Sequence, residues 1–532
     1  MSYSIGIDLG TSNCCVSIAT DRECRVVPVN NGHDQLLPSK VDFTDPNNIR
    51  VGSIVSESLI KKGNAVEGNK RIIGHKFNEE CIQEIKQYCQ AEVVEGKDGY
   101  CYYYIPAQDR NVSPEDVNVE LLKVLYNTAI ESMGGQRPKG VWITVPASFN
   151  QKQRSITRRS AERVIKEPVH LLSEPAAAAI QYGYDNLYEE GTMVIYDLGG
   201  GTFDVCIVRI QNQTIDIVDT SGHPTIGGNL FDSLIMNYAC KEYEQYMLNE
   251  MGDKGYLLPE SLKENDIAYQ KSLYALLQAC RETKHHLSNP ACETDDINID
   301  EYFDIVERIK HKYGIDIPDD DDDDDGGISY SYACPLSRDK LNELISPYIQ
   351  TTINITLKLL YDNNLNIQDI SRVLLVGGSS FIPYIRTLLS ETFGPEKIGY
   401  NINCNTCVSM GAALHNLKDN LIDRSTYDIC ILTNGNTYNV LIPKNSPLPC
   451  SGYKLLRSNR WSCWVNTSVY ERSGEGENEY VKYDSILDND RLLEEIQIRV
   501  DYTLTVEGEL TVRFTDVDYN EVLKEDKRVL DL

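Results

Sequence analysis

The chain has 532 residues, more than one ordinary hydrophobic core accommodates. Its 41% hydrophobic and 25% charged residues are globular proportions, and no apolar run is long enough to span a bilayer. A net charge of -29 repels phosphate backbones and argues against nucleic acid as the main partner. The same field opposes any nucleotide, so a nucleotide site here needs local backbone N–H groups and well-placed lysines.

The 16 cysteines are scattered, and the adjacent Cys14 and Cys15 suit neither a disulfide framework nor a zinc site. Reduced thiols in a reducing compartment are expected. The chain enters an apolar stretch at once, Ile5-Gly6-Ile7-Asp8, without a targeting pattern, and Val529-Leu530-Asp531-Leu532 is not a retention signal. The expected location is cytoplasmic, with no membrane partner.

In chain order, residues 4–20 read strand, tight turn, strand: Ile5-Gly6-Ile7-Asp8-Leu9, then Gly10-Thr11-Ser12-Asn13, then Cys14-Cys15-Val16-Ser17-Ile18. Leu121, Leu122, Leu125, Tyr126 and Ile130 predict a helix over 117–133. The polar opening after Pro146-Ala147-Ser148-Phe149-Asn150 predicts another over 151–164. The strand–Asp–glycine turn–strand pattern then returns: Val194-Ile195-Tyr196-Asp197-Leu198, Gly199-Gly200-Gly201-Thr202, Phe203-Asp204-Val205-Cys206. Further helices are expected over 234–247, 273–287 and 336–360. The alternation is α/β, and the repeat implies two similar lobes, each offering a hairpin tip to a shared cleft. A strand ending in Gly377-Gly378-Ser379-Ser380 leads into a helix near Pro383.

An acidic insertion near 303–328 holds the aspartate run 319–325, which reads as a solvated loop without spaced calcium ligands. After a linker at 417–426, short strand-like runs at 438–442, 464–470, 496–506 and 509–514 predict a small antiparallel β-sandwich over 427–519. Residues 520–532 read as a short polar tail.

Glycine lets backbone approach phosphate oxygens, and successive N–H groups make an anion-binding concavity. Asp8 and Asp197 then face the same metal-bound phosphates and hold Mg²⁺ through its waters, while Thr11 and Thr202 add hydroxyls. One such turn is weak evidence; two, each preceded by strand and aspartate, are much stronger.

The set Ile7-Asp8-Leu9-Gly10-Thr11-Ser12-Asn13, Ile143-Thr144-Val145-Pro146-Ala147-Ser148-Phe149, Glu174-Pro175-Ala176-Ala177-Ala178-Ala179, Asp197-Leu198-Gly199-Gly200-Gly201-Thr202-Phe203-Asp204 and Leu375-Val376-Gly377-Gly378-Ser379 resembles the Hsp70 chaperone family. The match spans roughly the first 415 residues, by order and spacing of motifs. The resemblance implies a two-lobed, actin-like ATPase domain of the ribonuclease H-like type over 1–416. It implies ATP or ADP with Mg²⁺ as ligands, K⁺ beside them, and slow hydrolysis. It assigns Lys70 to the terminal phosphate and attacking water, and Glu174 and Asp197 to the water and Mg²⁺. Asp204 lines the same site, with Thr202 beside it. Gly228, Lys284, Ser288, Gly377, Gly378 and Ser379 would hold the nucleotide. Pro146 resembles a switch proline, and Arg154 a residue near the interdomain contact. Unfolded polypeptide clients, a J-domain co-chaperone and a nucleotide-exchange factor are the implied partners.

Departures cluster at the adenosine end and beyond. Arg281 stands where an acid usually contacts ribose, and His285 and Phe381 replace the usual packing residues, although both can stack on a purine. Asn229-Leu230 and Asn405 replace acids. The linker keeps two aliphatics, Leu421-Ile422, where four are usual, so weaker interdomain coupling is expected. Asn434 and Thr467 make the resembling peptide pocket polar; Trp461 and Trp464 read as packing. No helical lid follows. The reading is a divergent, lidless Hsp70-type ATPase. A nucleotide-regulated adaptor with little client cycling is the alternative from another class, and a small-molecule kinase of the wider superfamily a third.

Overall fold

The computed structural model describes residues 3–529 apart from 252–266, 300–310, 315–331, 416–420, 458–463, 473–485, 489–496 and several shorter stretches. Ser4–Asp8 and Asn13–Ala19 form the first hairpin, with Asp8 opposite Cys15. On its other side Ser4–Asp8 runs parallel to Val141–Val145, which runs parallel to Val169–Ser173. Cys24–Val26 pairs antiparallel with Asn13–Ala19. Val141–Val145 is buried at every position, as befits a strand covered on both faces.

A second sheet repeats this plan. Gly191–Leu198 pairs antiparallel with Phe203–Gln211, and that with Thr214–His223. Gly191–Leu198 also runs parallel to Ile370–Val376, and that to Ile398–Gly399. The weak sequence repeat is therefore a repeat of topology, one sheet to each lobe.

Helix ends follow their caps. Pro114–Ser132 starts ahead of its apolar stripe because Ser113 caps it, accepting from the Asp116 N–H while Asp116 accepts from the Ser113 N–H. Asn150 and Gln153 cap Gln151–Glu162 the same way. Gly228–Met251 and Ile267–Ser288 both start earlier than expected. The helix expected from 336 starts later. Ala333–Ser337 is a strand paired with Thr294–Asn298, and the Ser337 hydroxyl caps Arg338–Asp362.

Between the sheets, helices Glu174–Asp185 and Cys407–His415 share one apolar cluster with Trp142, Met193 and Cys206. Ala176–Ala179 offers little bulk there, and Gly411 has none to offer: a Cβ would sit 1.7 Å from the Ala177 carbonyl oxygen. No helix among the described residues is long and apolar enough to cross a membrane.

From 428 onward the described elements are strands. Asp428–Thr433 pairs with Thr437–Ile442 and Val469–Arg472. Cys450–Arg457, Gln497–Leu504, Glu509–Asp516 and Glu521–Val529 form a four-stranded sheet. Ile429, Ile431 and Leu441 of the first sheet share a core with Ile498, Val500 and Phe514 of the second. The polar tail expected at 520–532 is thus corrected: Glu521–Val529 pairs along its length with Glu509–Asp516. Its charges, Lys524 to Arg528, are those that keep an edge strand from recruiting other chains, and they hid it in the sequence. Within the expected linker, Leu421–Ile422 is a short strand parallel to Ile215–Asp216. The aspartate run, Asn434, Trp461 and Thr467 lie outside the described residues, as does the side chain of Trp464.

Candidate functional site

The two glycine turns meet face to face. A Cβ at Gly200 would lie 2.5 Å from the Ser12 hydroxyl, and one at Gly201 would lie 2.9 Å from Thr11 Cγ2. Each turn is tied from behind. Ser39 donates its hydroxyl to the Gly10 carbonyl (2.8 Å) and its N–H to that of Ser12 (2.9 Å). The Gly199 carbonyl accepts from the Ser379 hydroxyl (2.8 Å) and the Gly228 N–H (3.0 Å), and the Gly200 carbonyl from the Asn229 N–H (2.7 Å). A trans peptide points its N–H opposite its carbonyl, so the N–H groups of Gly200 and Gly201 turn away from these donors.

Between the turns lies a cavity of about 410 Å³. It is lined by Asp8, Gly10, Thr11, Ser12, Asn13, Lys70, Glu174, Asp197, Gly199, Gly200, Thr202, Gly228, Arg281, Lys284, His285, Ser288, Gly377, Gly378 and Ser379. Three expected residues stand elsewhere. Gly201 packs on Thr11. Asp204 is buried, its Oδ1 accepting the Ser148 N–H at 3.1 Å. Phe381 is corrected: the tight turn Gly378–Phe381 buries Ser379 and Ser380 and leaves Phe381 half exposed, while Ile382 lines the cavity.

At the phosphate end, Lys70 sits in the turn Asn69–Arg71. That turn is fixed by the Asn69 amide, which donates to the Pro114 carbonyl (2.9 Å) and to Asn118 Oδ1 (2.8 Å). The Lys70 ammonium pairs with Glu174 and lies 5.8 Å from the centre of the Phe149 ring. Glu174 is the first residue of its helix, where the helix dipole favours a carboxylate. Asp8 accepts from the Thr144 hydroxyl at 3.3 Å.

Burial, reinforced by Glu174, pushes the Asp8 and Asp204 carboxyls up to about 7. Burial and the surrounding carboxylates push Asp197 well above its usual range. Burial pulls Lys70 down, but Glu174 and Asp8 outweigh it and hold the ammonium charged. Three buried carboxylates, Glu174, Asp197 and Asp204, with the half-buried Asp8, stand against one lysine and form an oxygen-only donor set. Those residues fit a hard divalent cation such as Mg²⁺.

The far end is organised by Asp232, which is fully buried. It takes Arg281 Nε at 3.0 Å and Lys284 Nζ at 2.5 Å. Arg281 Nη1 also reaches Glu67 Oε1 at 3.1 Å, and Lys40 lies 3.9 Å from Glu67. Lys284 donates to the Gly228 carbonyl at 2.9 Å. Burial, then Lys284, hold His285 below the usual histidine value. Sequence reasoning missed Asp232, Glu67, Lys40 and Cys404, all but Asp232 lining the cavity. Asp232 had a signal: it shares a helical stripe with the buried Ile235, Met236 and Ala239, where an acid needs partners. Cys404 also has C-x-x-C spacing with Cys407.

The family model described as Hsp70 protein matches residues 4–484. The chain belongs to the Hsp70 family. Hsp70 proteins are ATPases on a two-lobed actin-like fold, bind nucleotide with Mg²⁺, and generally bind unfolded clients and co-chaperones. A chaperone-type function follows for this Hsp70. The match ends ahead of Gln497–Leu504, Glu509–Asp516 and Glu521–Val529, which complete the four-stranded sheet. Arg154, expected near an interdomain contact, is buried at the start of its helix and donates to the Phe149 carbonyl at 3.0 Å.

Proposed function

We propose that this Hsp70 hydrolyses ATP slowly to ADP and phosphate and couples hydrolysis to transient binding of unfolded polypeptide. The observation that carries the reading is Lys70, paired with Glu174 amid Asp8, Asp197 and Asp204, at a cavity between two glycine turns. N–H groups of Gly10–Asn13 and Gly200–Thr202 would cradle phosphate oxygens. Asp8 and Asp197, which line the cavity, would hold Mg²⁺, with the buried Asp204 close by, and the ion would supply charge neutralisation at the phosphates.

Lys70 exchanges Glu174 for oxygens of the terminal phosphate. Glu174, relieved of the ammonium, orients the attacking water and takes its proton as the bond to the ADP oxygen breaks. Asp197 helps to order that water. At the far end Arg281, Lys284, Ser288 and the uncharged ring of His285 would hold the nucleoside against Gly377–Ser379.

The client would bind the β-rich region as an extended strand, on a β-sandwich made by the two sheets that share a core. Leu421–Ile422 supports coupling: its backbone continues the sheet that carries Asp197 and the second glycine turn. A J-domain co-chaperone and a nucleotide-exchange factor would drive the cycle, and the reducing cytosol suits a chain with 16 cysteines.

The test is release of a fluorescent extended peptide from the ADP state, followed on adding ATP. Release that accelerates with ATP, and fails to do so in Glu174→Ala, is expected. ATP bound with no peptide bound in either state would overturn client cycling in favour of a nucleotide-binding adaptor.

A further inference from the structure

Away from the nucleotide cavity, the segment after Lys70 gathers three different metal-ligating side chains. Gly74, at φ +73°, packs on Gln153, where a Cβ would meet the Gln153 side chain at 2.7 Å. That turn presents His75 beside the start of helix Gln151–Glu162. The His75 carbonyl accepts the Cys101 N–H (3.1 Å), and the Phe77 N–H donates to the Gly99 carbonyl (3.1 Å), so the segment is pinned to a neighbouring strand. Glu79 Oε1 accepts the Lys76 N–H at 2.7 Å, which aims the other carboxylate oxygen at His75 Nδ1, 2.6 Å away. Cys81, on the helical turn Glu80–Ile85, places its Sγ 3.9 Å from both of those atoms.

We infer that His75 Nδ1, a Glu79 carboxylate oxygen and Cys81 Sγ form a site for a divalent transition-metal ion, zinc foremost, at the surface of the first lobe. All three donor atoms lie within 4.8 Å of one another. Tetrahedral zinc, with bonds of about 2.0–2.3 Å, spaces its donors roughly 3.3–3.6 Å apart. The site reaches that spacing when the His75–Glu79 pair opens and the thiol closes in, each by well under about 1 Å. One nitrogen, one oxygen and one sulfur donor select zinc or its borderline neighbours over Mg²⁺ and Ca²⁺. The His75 side chain is 17% exposed and that of Glu79 40%, so an ion can enter and water can fill the fourth position.

The hydrogen bonds define the metal-free state. Gln153 Oε1 accepts the Asn150 N–H (2.9 Å), so the Gln153 amide nitrogen faces His75 Nε2 (3.2 Å) and donates to it. The ring proton then sits on Nδ1, shared with Glu79. On ligation Cys81 gives its proton to solvent and the ring carries its proton on Nε2 instead, which the Gln153 oxygen accepts once it releases the Asn150 N–H to water. Buried Cys101, whose thiol burial and then Glu79, Cys89 and Cys81 push up to about 12, stands within electrostatic reach.

The full-length protein, stripped with chelator, is titrated with Co²⁺ and then Zn²⁺. The expected result is thiolate-to-cobalt charge-transfer absorption saturating at one equivalent and lost on adding Zn²⁺. Cys81→Ser removes the band, His75→Ala weakens Co²⁺ binding by about tenfold or more, and Cys292→Ser leaves both unchanged. Glu79→Gln, which keeps the side-chain shape, weakens binding while retaining the band, and so reports even if Cys81→Ser fails to fold. A band that survives Cys81→Ser, or Co²⁺ bound without one, overturns the site.

Discussion

Arg281 on helix Ile267–Ser288 of the second lobe reaches Glu67 on strand Ala65–Glu67 of the first, Nη1 to Oε1 at 3.1 Å, and both line the nucleotide cavity. The bridge joins the walls between which a nucleotide enters and leaves. It lengthens into a chain, Lys40 to Glu67 to Arg281 to Asp232 to Lys284. A partly exposed pair of this kind contributes about 0.2–1 kcal/mol. Glu67→Ala is therefore expected to speed release of a fluorescent ADP analogue by roughly two- to fivefold, and the difference from wild type to shrink at high salt. Equal release rates at low salt would show that the bridge does not restrain opening.

Asp232 carries more weight for stability. It is the carboxylate held between the Arg281 and Lys284 charges, and it is fully buried. Removing one member of a buried ionic group leaves charge uncompensated, at a cost of about 3–5 kcal/mol. Asp232→Ala should lower the urea midpoint accordingly. Adding Lys284→Met should recover part of the loss, because it removes a charge that Asp232 had neutralised.

Much of this was legible in the sequence, for physical reasons. The phosphate end announces itself because close backbone approach demands glycine, and the paired aspartates come at fixed places at the ends of strands. The same constraint revealed the repeat that the two sheets realise. The far end is held by long side chains from separated segments, Glu67, Asp232 and Arg281, and nothing in local spacing marks such a meeting. Phe381 misled because aromatic character says what a ring can stack on, not which way a tight turn points it. Glu521–Val529 misled because the charges that protect an edge strand also describe a solvated tail.

The buried carboxylates give the nucleotide-free chain a pH signature. Asp204 is raised from 3.8 to about 7, chiefly by burial, so the folded chain keeps a proton that the unfolded chain releases in that window. Its contribution to stability is present below about pH 4 and falls away as pH rises through about 7. Asp204→Asn removes that titration and keeps an oxygen to accept the Ser148 N–H. In chelator and without nucleotide, the variant's Tm should gain on wild type as pH rises across this window. Parallel Tm profiles would contradict the raised carboxyl.

The most direct measurement of the central claim is single-turnover phosphate release from ATP bound to the full-length protein, compared with Lys70→Ala. Mutational removal of one group stabilising a transition state typically costs about 10²–10³ in rate. Slow release from wild type and a loss of about that size in Lys70→Ala are expected, with ATP still bound by the glycine turns. Equal release from both proteins, or ATP bound by wild type with no phosphate released, would contradict the claim.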